Sequence, residues 1–193
     1  FRMPAMLLAD GLLGQMMEPV VFPEREIVTY DKPWATNGRH GERRHNIVNS
    51  LYLSPKELED TNVARFARYE EVKRVLPKAE SYLTEDAEIV VVAFGATSRI
   101  VKSAVNSARA AGIKAGMVRP YTLWPFPAEK IQEGCQHAHD VLVVEMNMGQ
   151  MVDDVKLALE CKKPVSFYGR TGGIIPSPAE VLEQIKKLAG GEQ

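Results

Sequence analysis

Along residues 87–193, short runs of Val, Ile and Leu alternate with stretches in which apolar residues recur every three or four positions. Glu88 to Phe94 is rich in Val and reads as a strand. Gly95-Ala96-Thr97-Ser98 follows and leads into a helix to Ala111, closed by Gly112. Ile113 to Arg119 is the next strand predicted, Pro127 opens a helix near 128–137, and Val141 to Glu145 is a third strand. A helix near 150–160 and a short strand from Pro164 to Tyr168 come next. Ser177-Pro178-Ala179-Glu180 has the spacing of a capping box and starts a last helix, to about Leu188. Strands alternating with helices predict right-handed βαβ units, hence an α/β fold: an open, mostly parallel sheet with helices on both faces.

Residues 1–53 have no such rhythm. Met3 to Ala9 reads as a strand in progress, and an apolar stretch, Leu12 to Met17, is closed by Glu18-Pro19. Prolines 19, 23 and 33 then leave only short extended pieces such as Glu26 to Tyr30, and the polar residues 36–46 read as a loop. We therefore expect the chain to be a piece of a longer polypeptide. Ser54-Pro55-Lys56-Glu57 is a second helix start. That helix should run to about 75, with Val72, Val75 and Leu76 on one face, and connect the two halves across 54–86.

Charge and cysteine content narrow the chemistry. Lys plus Arg number 24 against 25 for Asp plus Glu, a formal net charge of -1, which argues against a dominant nucleic-acid surface. No apolar run reaches the roughly 20 residues a membrane span needs, and no secretory segment is visible, so the expected location is the cytoplasm. The two cysteines, Cys135 and Cys161, fall short of the four thiolates that hold an ordinary iron–sulfur cluster.

In a sheet of this kind ligands and partners meet the loops at the carboxyl ends of the strands. Gly95-Ala96-Thr97-Ser98 and Gly169-Arg170-Thr171-Gly172-Gly173 offer Thr97, Ser98 and Arg170 as candidate anion contacts, although the preferred reading is a strand-to-helix turn with Thr97 or Ser98 as cap for the first and a flexible loop for the second. Asp10-Gly11 with Asn37 downstream has a superficial likeness to a thiamine diphosphate metal motif, but Ala9 stands where its first Gly belongs. Cys135-Gln136-His137-Ala138-His139 lacks the second ligand cluster of a zinc site. Arg39, His40, Arg43, Arg44 and His45 make a basic loop that reads first as solvated and otherwise as a contact for a phosphate-bearing ligand or an acidic partner. No nucleophile–base constellation is visible.

Three strings carry a family resemblance: Leu8 to Val20 (LADGLLGQMMEPV), Val118 to Pro127 (VRPYTLWPFP) and Val144 to Gln150 (VEMNMGQ). Together and in this order they resemble the alpha subunit of 2-oxoacid:ferredoxin oxidoreductases, a group that includes the 2-oxoglutarate and 2-ketoisovalerate enzymes. The resemblance implies that 87–193 is a domain like the C-terminal domain of transketolases. Residues 1–53 would then be the tail of a thiamine-type, pyrimidine-binding α/β domain plus linker. It also implies oxidative decarboxylation of a 2-oxo acid with coenzyme A, giving an acyl-CoA, carbon dioxide and reduced ferredoxin. Thiamine diphosphate, Mg and iron–sulfur clusters are expected in the whole complex with beta and other subunits, none in this fragment, and no catalytic residue is carried over. Arg119, Glu145, Asn147 and Gln150 are the expected interface residues on the strand-end edge. Two other classes stay open, a non-catalytic docking or regulatory α/β module and a nucleotide-binding protein using the Gly95 and Gly169 loops.

Overall fold

The computed structural model describes residues 1–17, 19–38, 41 and 43–190. Its elements are α1 (Gly11–Gln15), α2 (Pro55–Val75), β1 (Ala79–Tyr82), β2 (Ile89–Val92), α3 (Gly95–Ala110), β3 (Ala115–Pro120), α4 (Ala128–Gly134), β4 (Asp140–Glu145), α5 (Met151–Ala158), β5 (Val165–Gly169) and α6 (Pro178–Gly190). The chain divides into two units, Phe1–Met16 with Tyr69–Gln193, and Met17–Arg68.

In the first unit the strands lie in the order β1-β3-β2-β4-β5. β3, β2, β4 and β5 are parallel, and β1 runs antiparallel to β3. Side chains alternate strictly. Ile89, Val91, Met117, Leu142 and Val144 pack under α3 and α6, while Val90, Val92, Val118, Val141 and Val143 pack under α4 and α5. Both faces of the central strands are therefore dry, which is why β2 and the middle of β4 read as unbroken apolar runs.

Local chemistry sets the helix ends. Gly112 has φ +84, donates to Arg109 O at 3.0 Å, and lets the Ile113 amide reach Ala108 O at 3.0 Å, closing α3 in a Schellman motif. The capping box of α6 forms as read: Ser177 N donates to Glu180 Oε2 at 2.7 Å and Glu180 N donates to Ser177 Oγ at 3.2 Å. At α2 the Glu57 amide reaches Ser54 Oγ at 3.5 Å.

Several expectations need correction. α3 starts at Gly95, so Thr97 and Ser98 lie inside its first turn rather than before it, and neither caps it. Met3 to Ala9 forms no strand, because among the described residues no strand pairs with it. α4 ends at Gly134, short of 137. On α2 only Val72 is buried; Val75 and Leu76 stay partly open. β1 escapes a reading from periodicity, since Ala-Glu-Ser-Tyr has little strand propensity and forms by pairing with β3.

In the second unit Arg43 organises the loop. Its guanidinium donates to Ala35 O (2.7 Å), Asn37 Oδ1 (2.9 Å) and Gly38 O (2.9 Å), while Asn46 Nδ2 donates to Pro33 O and Ala35 O. Arg39 and His40 lie outside the described residues.

Candidate functional site

The helices after β2 and β4, α3 and α5, lie on opposite faces of the sheet. Between these adjacent strands the connections diverge, which makes their carboxyl ends the switch point of the fold. Four candidate residues sit on this edge.

Glu145 ends β4 and is 1% exposed. Its carboxylate turns inward. Oε1 accepts from the amides of Gln150 (3.2 Å) and Val152 (3.1 Å), and Oε2 accepts from the Met151 amide (3.0 Å) and Asn147 Nδ2 (2.9 Å). A buried anion thus caps α5, whose N-cap, Gln150, makes no side-chain bond of its own. Asn147 Oδ1 accepts from the Gly149 amide at 2.7 Å, and Gly149 holds φ +102, a turn that favours glycine. Glu145, Asn147 and the Gln150 backbone therefore form one network that fixes the 146–150 loop and leaves Met148 81% exposed at its tip.

Arg119 lies opposite Glu80 across β1–β3, with a nitrogen 3.8 Å from Glu80 Oε2 and its guanidinium over the Tyr121 ring at 4.9 Å. Tyr121 Oη donates to Glu80 Oε2 at 2.7 Å, and Lys102 Nζ lies 3.6 Å from Glu80 Oε1. The Tyr121 bond, then Lys102 and Arg119, hold the Glu80 carboxyl below the usual range against the opposing effect of burial; the same bond raises the Tyr121 hydroxyl. Reasoning from the sequence missed Glu80 and Lys102, because their meeting with Arg119 depends on β1. Arg119 Nε is buried without a hydrogen-bond partner.

The three candidate anion contacts do not form a cradle. Thr97 and Ser98 are buried, and Ser98 Oγ donates to Gly95 O at 2.6 Å. The Arg170 guanidinium lies 3.5 Å from Glu180 Oε1, and its Nε too lacks a partner. Cys135 sits in the core, where burial pushes its thiol up to about 12, while His137 and His139 are exposed. Among the described residues no group of three or more His, Cys, Asp or Glu is arranged to hold a metal ion, and no helix is long and apolar enough to cross a membrane.

Large apolar side chains crowd the same edge. Tyr121 and Trp124 follow β3 and are half-exposed, Met148 follows β4, and Ile174 and Ile175 follow β5. Trp124 stacks edge-on against Tyr69, ring centres 5.4 Å apart. An edge with exposed aromatics and two arginines is suited to contact another protein surface.

Residues 87–181 match the family described as pyruvate:ferredoxin oxidoreductase core domain II. This part of the chain is similar to that core domain. The sheet from β2 to β5 falls within the matched residues, and the edge described above is the carboxyl edge of that sheet. Over 191 residues the chain is 43% identical to the ketoisovalerate oxidoreductase subunit VorB of Methanothermobacter marburgensis, covering 98% of this chain and 54% of that subunit. The chain thus spans about half the length of the curated relatives it matches.

Two solved structures share this fold. One is the 2-oxoglutarate:ferredoxin oxidoreductase from Magnetococcus marinus with 2-oxoglutarate, coenzyme A and succinyl-CoA bound (TM-score 0.58, 22% identity, 70% of this chain, 24% of that one). The other is a split-gene transketolase, an inactive beta4 tetramer (TM-score 0.50, 19% identity, 60% of this chain, 42% of that one). The open, mostly parallel α/β sheet expected for 87–193 is thus the fold found, with β1 as an antiparallel addition.

Proposed function

We propose that this chain is part of the alpha-type subunit of a 2-oxoacid:ferredoxin oxidoreductase. The whole complex decarboxylates a 2-oxo acid oxidatively with coenzyme A, yielding an acyl-CoA, carbon dioxide and reduced ferredoxin. The observation that carries this reading is the 43% identity to a ketoisovalerate oxidoreductase subunit along nearly the whole chain, which also favours a branched 2-oxo acid as substrate. Residues 1–53 then serve as the tail of a pyrimidine-binding domain plus linker, 54–86 as a connecting helix, and 87–193 as the domain that docks on neighbours.

Thiamine diphosphate, Mg and the clusters belong to the rest of the complex in this reading. The described residues do not fit them: the chain offers two thiols, one of them in the core, and Asp10 serves as the cap of α1, its Oδ1 accepting from the Leu13 amide at 2.7 Å. This chain's own work is structural. Glu145 and Asn147 hold the 146–150 loop rigid, and Met148, Tyr121, Trp124 and Arg119 meet a neighbouring subunit in the cytoplasm.

Tagging the native subunit and purifying it intact tests the proposal. Co-purifying subunits that carry thiamine diphosphate and clusters would support it, and Met148→Lys would weaken their retention without lowering the stability of the free chain. A subunit that purifies alone, or a Met148→Lys variant with unchanged retention, would count against it.

A further inference from the structure

We propose that the first turn of α3 is a phosphate site, built from the Gly95, Ala96 and Thr97 amides and the Thr97 hydroxyl. Among the described residues none of these three amides has a hydrogen-bond partner, no side chain caps the helix, and its first turn carries no acidic residue. Gly95 holds φ +57 and hands over directly to the helical backbone of Ala96. A left-handed residue followed by a right-handed one turns successive amides into a single concavity suited to an anion. The positive end of a 16-residue helix points the same way.

Thr97 adds a buried, unsatisfied group to this helix end. It is 4% exposed, and its hydroxyl makes no hydrogen bond among the described residues. Thr97, Val101, Val105 and Ala108 lie along the line of α3 that faces the sheet. Side chains on a helix tilt toward its N-terminus, so Thr97 leans over the turn that holds the free amides. Ser98 differs, because its hydroxyl is engaged by Gly95 O at 2.6 Å. Ala96 is 3% exposed, so two unpaired amides and a hydroxyl are shielded from bulk water, a cost that a bound oxyanion removes. Entry is through Gly95, which is exposed and has open space where a Cβ would stand. Three amides and a hydroxyl match the several oxygens of a phosphate group better than the two of a carboxylate. The Glu145 carboxylate lies on the opposite face of the sheet, where four donors already meet it. Arg170 is held by Glu180, so of the three candidate contacts in the sequence only Thr97 belongs to this site.

The test follows hydrogen–deuterium exchange, at sub-second times, in peptides spanning 93–101 of the full-length subunit in its native assembly. Inorganic phosphate, glycerol phosphate and acetate are added in turn at equal ionic strength. Phosphate should slow exchange in these peptides and acetate should not. Slowing by the free ion alone, by the ester alone or by both supports the site and tells which form it accepts. Thr97→Val keeps the shape and removes the hydroxyl, so it should need about tenfold more phosphate for the same slowing, while Thr97→Ser should respond as the parent does. No slowing by either phosphate, equal slowing by acetate, or an unchanged phosphate response in Thr97→Val would overturn the proposal. If Thr97→Val does not fold, the phosphate and acetate arms on the parent chain decide alone.

Discussion

Replacing Glu145 with Gln tests the carboxylate at the end of β4. Each oxygen serves two donors: Oε1 the amides of Gln150 and Val152, Oε2 the Met151 amide and Asn147 Nδ2. Gln keeps one carbonyl oxygen, so whichever way the amide turns, its NH2 faces two donors. Two bonds to a charged acceptor are lost, at about 1.5 kcal/mol each by a low-end value, so the folded state should lose about 3 kcal/mol. That is a large share of the roughly 5–15 kcal/mol that holds a domain together. With a urea m value near ~2 kcal/mol/M, the unfolding midpoint should fall by about 1.5 M. Hydrogen exchange at the Gln150, Met151 and Val152 amides should quicken alongside it, reporting the loss at the α5 terminus itself. A midpoint within about 0.3 M of the parent, with unchanged exchange, would refute the assignment of Glu145 as the acceptor that holds this loop.

Three further predictions follow from the packing. A Cβ at Gly116 would lie 2.5 Å from the Leu83 carbonyl oxygen and 2.9 Å from Ala87 Cβ, so Gly116→Ala should cost about 2–4 kcal/mol in chemical unfolding, while Gly14→Ala, with open space around it, should not destabilise the chain. In the native chain a thiol reagent near neutral pH should titrate exposed Cys161 alone, and Cys135, whose thiol burial pushes up to about 12, should react after denaturation; two fast thiols in the native chain would contradict the core placement. The Ser177 amide, its hydroxyl and the Arg170 guanidinium hold the Glu180 carboxyl below its usual range. Its stabilising contribution is thus complete above the ordinary carboxylate value and is lost as pH falls through the depressed one, so calorimetry should show Glu180→Gln with a shallower acid limb than the parent.

The order of strands and helices after residue 87 could be read directly, because a sheet covered on both faces writes itself as short Val-rich runs separated by caps such as Ser177-Pro178-Ala179-Glu180. What escaped the reading depends on partners far along the chain. β1 exists through its pairing with β3, and that pairing gathers Lys102, Arg119 and Tyr121 around Glu80. Glu145 is legible as a strand-end residue, but nothing in a local window tells a carboxylate offered to a neighbour from one folded back onto the next helix. Thr97 and Ser98 look like a cap in sequence, yet α3 starts at Gly95 and draws both inside its first turn.

The most direct measurement is viologen reduction by the native complex containing the full-length form of this chain, with coenzyme A required and 2-ketoisovalerate, 2-oxoglutarate and pyruvate offered in turn. The account predicts coenzyme A-dependent reduction, fastest with 2-ketoisovalerate in line with the 43% identity to VorB. An intact complex that reduces viologen with none of the three acids would contradict the enzyme-subunit reading and leave this domain a docking module.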